Sequence, residues 1–174
     1  MNTKYRNAAS VAEQRILELA ASFTNSSFSN TTMSSLPTKT IHVPHLGGIK
    51  ASYHAHPEVY NSSLPTLVLV NSFTTSADLY QSQFANKDLT SRMNLIAVEL
   101  LGHGQTRAEK TEHWTYWDTA VMNLQVLDQL GVKGKVFVLG TSQGGWICVR
   151  MALLQPDRVG FSWCCRRGTV GWLS

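Results

Sequence analysis

Residues 136–145 read Val136-Phe137-Val138-Leu139-Gly140-Thr141-Ser142-Gln143-Gly144-Gly145. The first four form a short, continuous apolar run, which is typical of a strand buried on both faces of a parallel sheet. A helical pattern follows from Gln143 to Leu154 and ends before Pro156. The Gly-x-Ser-x-Gly segment between them predicts a sharp turn from strand to helix, with Ser142 at its apex.

Such a turn is a nucleophile elbow, in which a serine hydroxyl stands clear of the sheet. The turn forces Ser142 into strained backbone angles, and Gly140 and Gly144 remove Cβ atoms that would clash. The helix that follows directs its N-terminal amides and the positive end of its dipole at the same point. The alternative is an ordinary turn of Gly and Ser, since the pattern also arises by chance.

Further patterns on the N-terminal side of the elbow indicate the fold class. Short apolar runs at residues 67–70 and 95–98 predict two more buried parallel strands. Helical patterns lie between the strands at 77–87 and at 115–130, the second followed by Gly131 as a C-terminal cap. Strands that alternate with helices in this way predict an α/β fold with right-handed crossovers.

The chain has 174 residues, of which 43% are hydrophobic and 15% are charged, the composition of a globular protein. We expect an N-terminal helix (residues 8–23) and a Ser/Thr/Asn-rich linker within residues 1–36. The α/β domain is expected at 37–159, and it opens with an antiparallel hairpin around Gly47-Gly48 that leads into the mostly parallel sheet with its flanking helices. Residues 160–174 are expected to form a divergent tail.

Composition argues against several classes of function. The net charge is +4 and the basic residues are scattered, apart from Arg166-Arg167, so we expect no nucleic-acid partner. No apolar run approaches the roughly 20 residues that cross a bilayer, so no membrane association is expected. The three cysteines suit a reduced, cytoplasmic chain. His54 and His56 alternate on a strand and are too few for a metal site, and no cofactor is expected.

Two backbone amides are candidates for stabilising an oxyanion. Acyl-transfer chemistry needs N–H donors directed at the oxygen that becomes negative. The amide of Gln143, directly after Ser142, is one candidate. The loop after the strand at 67–70 supplies the other, for which we select the amide of Phe73, although this loop could equally be an ordinary turn.

The Gly102-His103-Gly104 segment follows the strand at 95–98. We interpret it as a structural turn whose imidazole binds nearby backbone. The alternative role for His103 is that of a base, which requires the imidazole to lie within hydrogen-bond reach of Ser142. The aromatic residues near the helices could line a pocket or the core, and we expect the core for Trp117; the others are Trp114, Tyr116 and Trp146.

These motifs together resemble the N-terminal part of an α/β-hydrolase, of the grouping that holds esterases, epoxide hydrolases and cofactor-free haloperoxidases. The resemblance covers residues 41–159 and implies that Ser142 is a nucleophile acting on a small-molecule ester, thioester or related acyl substrate. It also implies that Phe73 and Gln143 supply the oxyanion amides. Asn71-Ser72 stands where the family usually has His-Gly, and Glu99 where Asp is commoner. A serine nucleophile argues against haloalkane dehalogenases and epoxide hydrolases, which use an aspartate.

The family's acid and base follow the nucleophile along the chain. Here every histidine precedes Ser142, and Asp157, the only acidic residue after it, lies too close to the elbow. The six histidines are His42, His45, His54, His56, His103 and His113.

From this pattern we expect a fold cut short after the elbow, through a change of reading frame or transcript near Gly160, and absent or impaired activity. The alternatives are a divergent short relative, or a non-catalytic α/β-hydrolase-like fragment that binds a ligand or a partner protein. An incomplete sheet would leave the elbow strand with an unpaired edge and favour aggregation.

Overall fold

The structure is a computed structural model that describes residues 36–166 and 169–173, with side chains as far as Gly160. The helix expected at 8–23 and the linker that follows it lie outside the described residues. The described residues belong to one compact unit.

A mixed sheet organises this unit and confirms the predicted α/β class. In the described part of the chain the strand order is β1-β2-β4-β3-β6-β7-β8, with β5 paired to β2. Strands β4, β3, β6 and β7 run parallel, whereas β1–β2, β2–β4 and β7–β8 are antiparallel. The strands are β1 (Lys39–Val43), β2 (Ile49–His56), β3 (Thr66–Val70), β4 (Asn94–Val98), β5 (Arg107–Ala108), β6 (Val136–Thr141), β7 (Val159–Arg166) and β8 (Thr169–Leu173).

The apolar runs identified in the sequence form the centre of this sheet. Every residue of β3 and of β4 is buried, as a continuous apolar run predicts for a strand covered on both faces. The hairpin of β1 and β2 turns around Gly47-Gly48, where both glycines have positive φ. The described core lies between the strands and the helices at residues 116–129 and 143–154. It includes Val68, Val98, Leu124, Leu127, Ile147 and Met151.

The described α-helices are α1 (Gln81–Ala85), α2 (Lys87–Thr90), α3 (Tyr116–Gln129) and α4 (Gln143–Leu154). The single helix expected at 77–87 is wrong in detail, because a 3-10 turn at Ala77–Tyr80 precedes α1 and the chain breaks at Asn86. Asn86 adopts extended angles, and its side chain accepts a hydrogen bond from the Leu89 amide at 3.0 Å. The asparagine therefore ends one helix and caps the next.

Helices α3 and α4 lie where the sequence predicts them. Gly131 follows α3 with φ +76°, as a C-terminal cap requires. The expectation that Trp117 lies in the core is wrong, since its side chain is 44% exposed. Its ring stacks instead against the guanidinium of Arg150 on α4, 5.1 Å from the ring centroid, which places the first turn of α3 at the surface.

The elbow strand does not end the sheet. We expected an unpaired edge at β6, but β7 pairs with it in parallel and β8 pairs with β7. Valine, phenylalanine and tryptophan stand at alternate positions 159, 161 and 163, and this spacing of β-forming residues supports a strand. None of the helices described is long and apolar enough to cross a membrane.

Candidate active site

Ser142 lies at the junction of β6 and α4 with φ +53° and ψ −113°. A non-glycine residue pays conformational energy for such angles, which persist only where the surrounding structure enforces them. The side chain is exposed and makes no hydrogen bond to another described residue. The turn therefore presents a strained serine with an available hydroxyl.

The flanking glycines are required by the closeness of the backbone. A Cβ on Gly140 would overlap the backbone of Gly144, the second residue of α4. A Cβ on Gly144 would overlap the carbonyl oxygen of Val70 and would lie 2.6 Å from that of Asn71. The first turn of α4 thus packs directly against the end of β3, where the loop with Phe73 begins.

The two amides selected from the sequence are both unpaired in the described part of the chain. The backbone N–H groups of Phe73 and Gln143 donate no hydrogen bond to another described residue. Strands β3 and β6 are parallel neighbours, with Val70 opposite Gly140, so both amides follow strands that end at the same edge of the sheet. Gln143 is also the first residue of α4, where the helix dipole favours negative charge. Two unpaired donors at the sheet edge that carries Ser142 are what an anion-binding site needs.

Asn71 anchors the loop that carries Phe73. Its buried side chain donates to the carbonyl oxygen of Thr75 at 2.7 Å and to that of Ser72 at 3.1 Å. Its Oδ1 accepts a hydrogen bond from the Leu100 amide at 3.1 Å, which ties the loop after β3 to the loop after β4. With Asn71 in place of the family's His, these hydrogen bonds hold the base of the loop.

Tyr80 joins the end of β3 to the end of β6. Its hydroxyl donates to the carbonyl oxygen of Val70 at 2.7 Å and lies 3.2 Å from the hydroxyl of Thr141. The sequence pattern did not indicate Tyr80 or the anchoring role of Asn71 as parts of the site. The available signal for Asn71 was a polar residue directly after a buried apolar strand.

The Gly-His-Gly turn has the structural character predicted for it. The amide of His103 donates to the Leu100 carbonyl at 2.9 Å, and its Nδ1 lies 3.3 Å from the Leu101 carbonyl oxygen. No hydrogen bond joins His103 to Ser142 among the described residues. Gly104 leaves room for the buried carboxylate of Glu99, which accepts a hydrogen bond from the Gln105 amide at 2.7 Å.

Three of the other histidines have partners away from Ser142. His45 Nε2 lies 2.8 Å from Asp118, and buried His54 lies 3.1 Å from the Pro37 carbonyl oxygen and 3.7 Å from Asp78. His42 pairs with a glutamate on the surface at 3.0 Å. Within the described ranges no group of three or more His, Cys, Asp or Glu side chains is placed to hold a metal ion. The structure therefore brings Ser142, Phe73 and Gln143 together at one edge of the sheet, without a histidine hydrogen-bonded to the serine.

Comparison with known proteins gives a consistent result. A family model described as alpha/beta hydrolase fold matches residues 65–160. An uncharacterized hydrolase of Bacillus subtilis, YugF, is 32% identical over 105 residues, which are 60% of this chain and 37% of that protein. The chain thus spans well under half the length of this curated relative.

Solved structures resemble the fold at lower identity. A probable hydrolytic enzyme from Pseudomonas aeruginosa is 22% identical, with a TM-score of 0.62 over 73% of this chain and 40% of the other. An esterase from Thermogutta terrifontis is 20% identical, with a TM-score of 0.60 over 69% and 42%. An epoxide hydrolase from Vigna radiata is 20% identical, with a TM-score of 0.59 over 73% and 39%. The family match spans more than half of the chain and includes the elbow: the protein belongs to the α/β-hydrolase fold family.

Proposed function

We propose that this chain carries the nucleophile of a serine hydrolase that acts on an ester, a thioester or a related acyl substrate. The observation that carries the proposal is the elbow itself. Ser142 is held at positive φ next to the unpaired amide of Gln143, at the sheet edge where the loop with the unpaired amide of Phe73 also begins. This combination serves acyl transfer, since it joins an exposed hydroxyl to donors for the developing oxyanion.

The chemistry follows from these groups. The Ser142 oxygen attacks the acyl carbon, and the carbonyl π electrons move to the oxygen, where the two amides and the N-terminus of α4 stabilise the charge. The serine proton passes to a base, the leaving group departs with a proton, and water later cleaves the acyl-serine. The 174 residues contain no histidine after Ser142. Loss of the base costs about 10⁶ in kcat in a well-studied serine protease, so we propose slow chemistry within these residues.

A fluorophosphonate probe tests the proposal, because it forms a covalent bond with an activated serine. We expect slow labelling of Ser142, identified by peptide mass mapping, and loss of labelling in Ser142→Ala. Ser91→Ala removes another exposed serine, at the end of α2, and should label like the unchanged chain. Labelling that persists in Ser142→Ala, or no labelling at a large excess of probe, would contradict the proposed nucleophile.

A second candidate function is that of a non-catalytic α/β-hydrolase-like protein that binds a ligand or a partner. The observation in its favour is that none of the described histidines is hydrogen-bonded to Ser142. The same probe separates the two candidates. Labelling at Ser142 excludes the non-catalytic function, whereas a folded chain that never labels supports it.

A further inference from the structure

The tip of the loop after β3 makes an aromatic contact with the Gly-His-Gly turn. Phe73 is 64% exposed, yet its ring meets the ring of His103 edge to face, with centroids 5.7 Å apart and planes at 68°. Such a pair is favourable beyond the area that it buries. The contact therefore joins the loop after β3 to the loop after β4 near the proposed oxyanion donor.

The backbone at the tip of the loop is strained. Thr74 has φ +63°, an unfavourable value for a β-branched residue. Its hydroxyl donates to the Phe73 carbonyl at 2.6 Å, and the Thr75 amide donates to the Ser72 carbonyl at 3.2 Å. These bonds stay inside the loop, so they define its internal shape but not the direction in which the Phe73 amide points.

The two supports of the loop act at different places. Asn71 holds the base of the loop, because its side chain binds the Ser72 and Thr75 carbonyl oxygens and accepts from the Leu100 amide. It makes no hydrogen bond to Phe73 or Thr74 in the described part of the chain. Among the described hydrogen bonds and ring contacts, the one that joins Phe73 or Thr74 to another segment is the contact with His103.

His103 is well placed to act as the fixed side of this contact. Its amide donates to the Leu100 carbonyl at 2.9 Å, and its own carbonyl accepts from the Thr106 amide at 2.9 Å. The ring is held by its Nδ1, 3.3 Å from the Leu101 carbonyl oxygen. Backbone and ring are thus both bound to the turn, whereas the Phe73 amide has no partner among the described residues.

We propose that His103 is a positioning residue, which holds the Phe73 ring and thereby directs the Phe73 amide toward the acyl oxygen above Ser142. It exchanges no proton with the substrate. The effect of His103 on the reaction rate at Ser142 rests on the proposed function, whereas its effect on the order of the Phe73 backbone does not. Two experiments measure these two effects separately.

The first experiment measures backbone order in the full chain by ¹⁵N relaxation. In His103→Ala the order parameters of the Phe73 and Thr74 amides should fall from the rigid range of about 0.85 to below about 0.6. The Gln143 amide should keep its value, because α4 holds it independently. His103→Phe keeps an aromatic ring and should restore the order, and His113→Ala, which removes an exposed imidazole from another loop, should change nothing. Unchanged order at Phe73 in His103→Ala would overturn the proposal.

The second experiment measures the rate and affinity of fluorophosphonate labelling at Ser142 separately. His103→Ala should slow the covalent step about 2- to 12-fold, the range that corresponds to an aromatic pair, and leave the affinity for the probe unchanged. His103→Phe should recover most of the rate. Equal rates in His103→Ala and the unchanged chain would refute the positioning role and leave the proposed nucleophile intact.

Two further outcomes are decisive. If Ser142 never labels, the proposed function fails, and the order parameters still decide whether His103 positions Phe73. If His103→Ala does not fold, Phe73→Leu removes the ring pair without altering the Gly-His-Gly turn. It should lower the order of the Thr74 amide to the same extent, and a rigid Thr74 in that variant would contradict the proposal.

Discussion

Position 144 accepts only glycine without displacement of the neighbouring backbone. The helix that follows Ser142 starts so close to β3 that a single added carbon at Gly144 meets the Val70 carbonyl oxygen. The obstacle is backbone at the end of a central parallel strand, which cannot rotate away as a long side chain can. The same closeness brings the Gln143 amide beside the loop that carries Phe73.

We expect Gly144→Ala to lower the free energy of unfolding by about 1–3 kcal/mol or more, because the added methyl group forces the helix away from the strand. Urea denaturation measures the change. Gly134→Ala is the matched control, since a Cβ there meets nothing within 4 Å, and it should stay within about 0.5 kcal/mol. Equal stability of the two variants would mean that α4 can move away from β3 at little cost.

At the scale of the element, hydrogen bonds in the first turn determine where α3 begins. Thr115 and Asp118 form a capping box, with the Asp118 carboxylate accepting from the Thr115 amide at 2.6 Å and from its hydroxyl at 2.7 Å. Burial alone would raise the pKa of Asp118, but the hydrogen bonds from Thr115 and the contact with His45 outweigh it and hold the pKa below its ordinary value. The ionised carboxylate therefore stabilises the start of the helix and binds it to the turn after β1.

Asp118→Asn should lower the free energy of unfolding by about 0.3–1 kcal/mol at neutral pH, the usual contribution of an ionised carboxylate in the first turn of a helix. Because the folded-state pKa is lowered, the carboxylate contributes fully above the ordinary aspartate value of about 4. That contribution is lost as the pH falls through the folded-state pKa. The difference in unfolding free energy between the unchanged chain and the variant should therefore shrink in acid.

Urea midpoints at pH 7 and pH 3 measure this change. Asp157→Asn removes an exposed carboxylate and serves as the control, with little difference at either pH. A difference for Asp118→Asn that is the same at both pH values would refute the electrostatic contribution and leave only the shape of the cap.

At the scale of the whole molecule, the order of strands decides what meets at the active edge. Strand β3 lies between β4 and β6, so the loops after these three parallel strands come together although they are far apart in the chain. Asn71 and Tyr80 join them with hydrogen bonds. The same order makes β3 and β4, which are buried along their length and paired on both sides, the most protected part of the described sheet.

Hydrogen exchange should follow this gradient. We expect the slowest amide exchange in β3 and β4, because opening them requires disruption of the sheet, and faster exchange in β1, which pairs on one side with β2. Exchange measured residue by residue under native conditions tests the order. Protection in β1 as high as in β3 would contradict a stability gradient centred on the parallel strands.

The sequence by itself determined the features that depend on neighbouring residues. Continuous apolar runs predicted β3, β4 and β6, because a strand covered on both faces has no polar side to display. The glycines around Ser142 predicted the elbow, and the residues at each end predicted the bounds of α3 and α4. The role of Ser142 as nucleophile stays a prediction.

Only the tertiary structure decided which distant residues become partners. The pairing of Asn71 with the Leu100 amide, the contact of Phe73 with His103 and the exposure of Trp117 depend on strand order and packing between separate elements. The pairing of β7 beside β6 belongs to the same class. No local pattern encodes these contacts, since each arises from the meeting of segments that the chain keeps apart until the sheet forms.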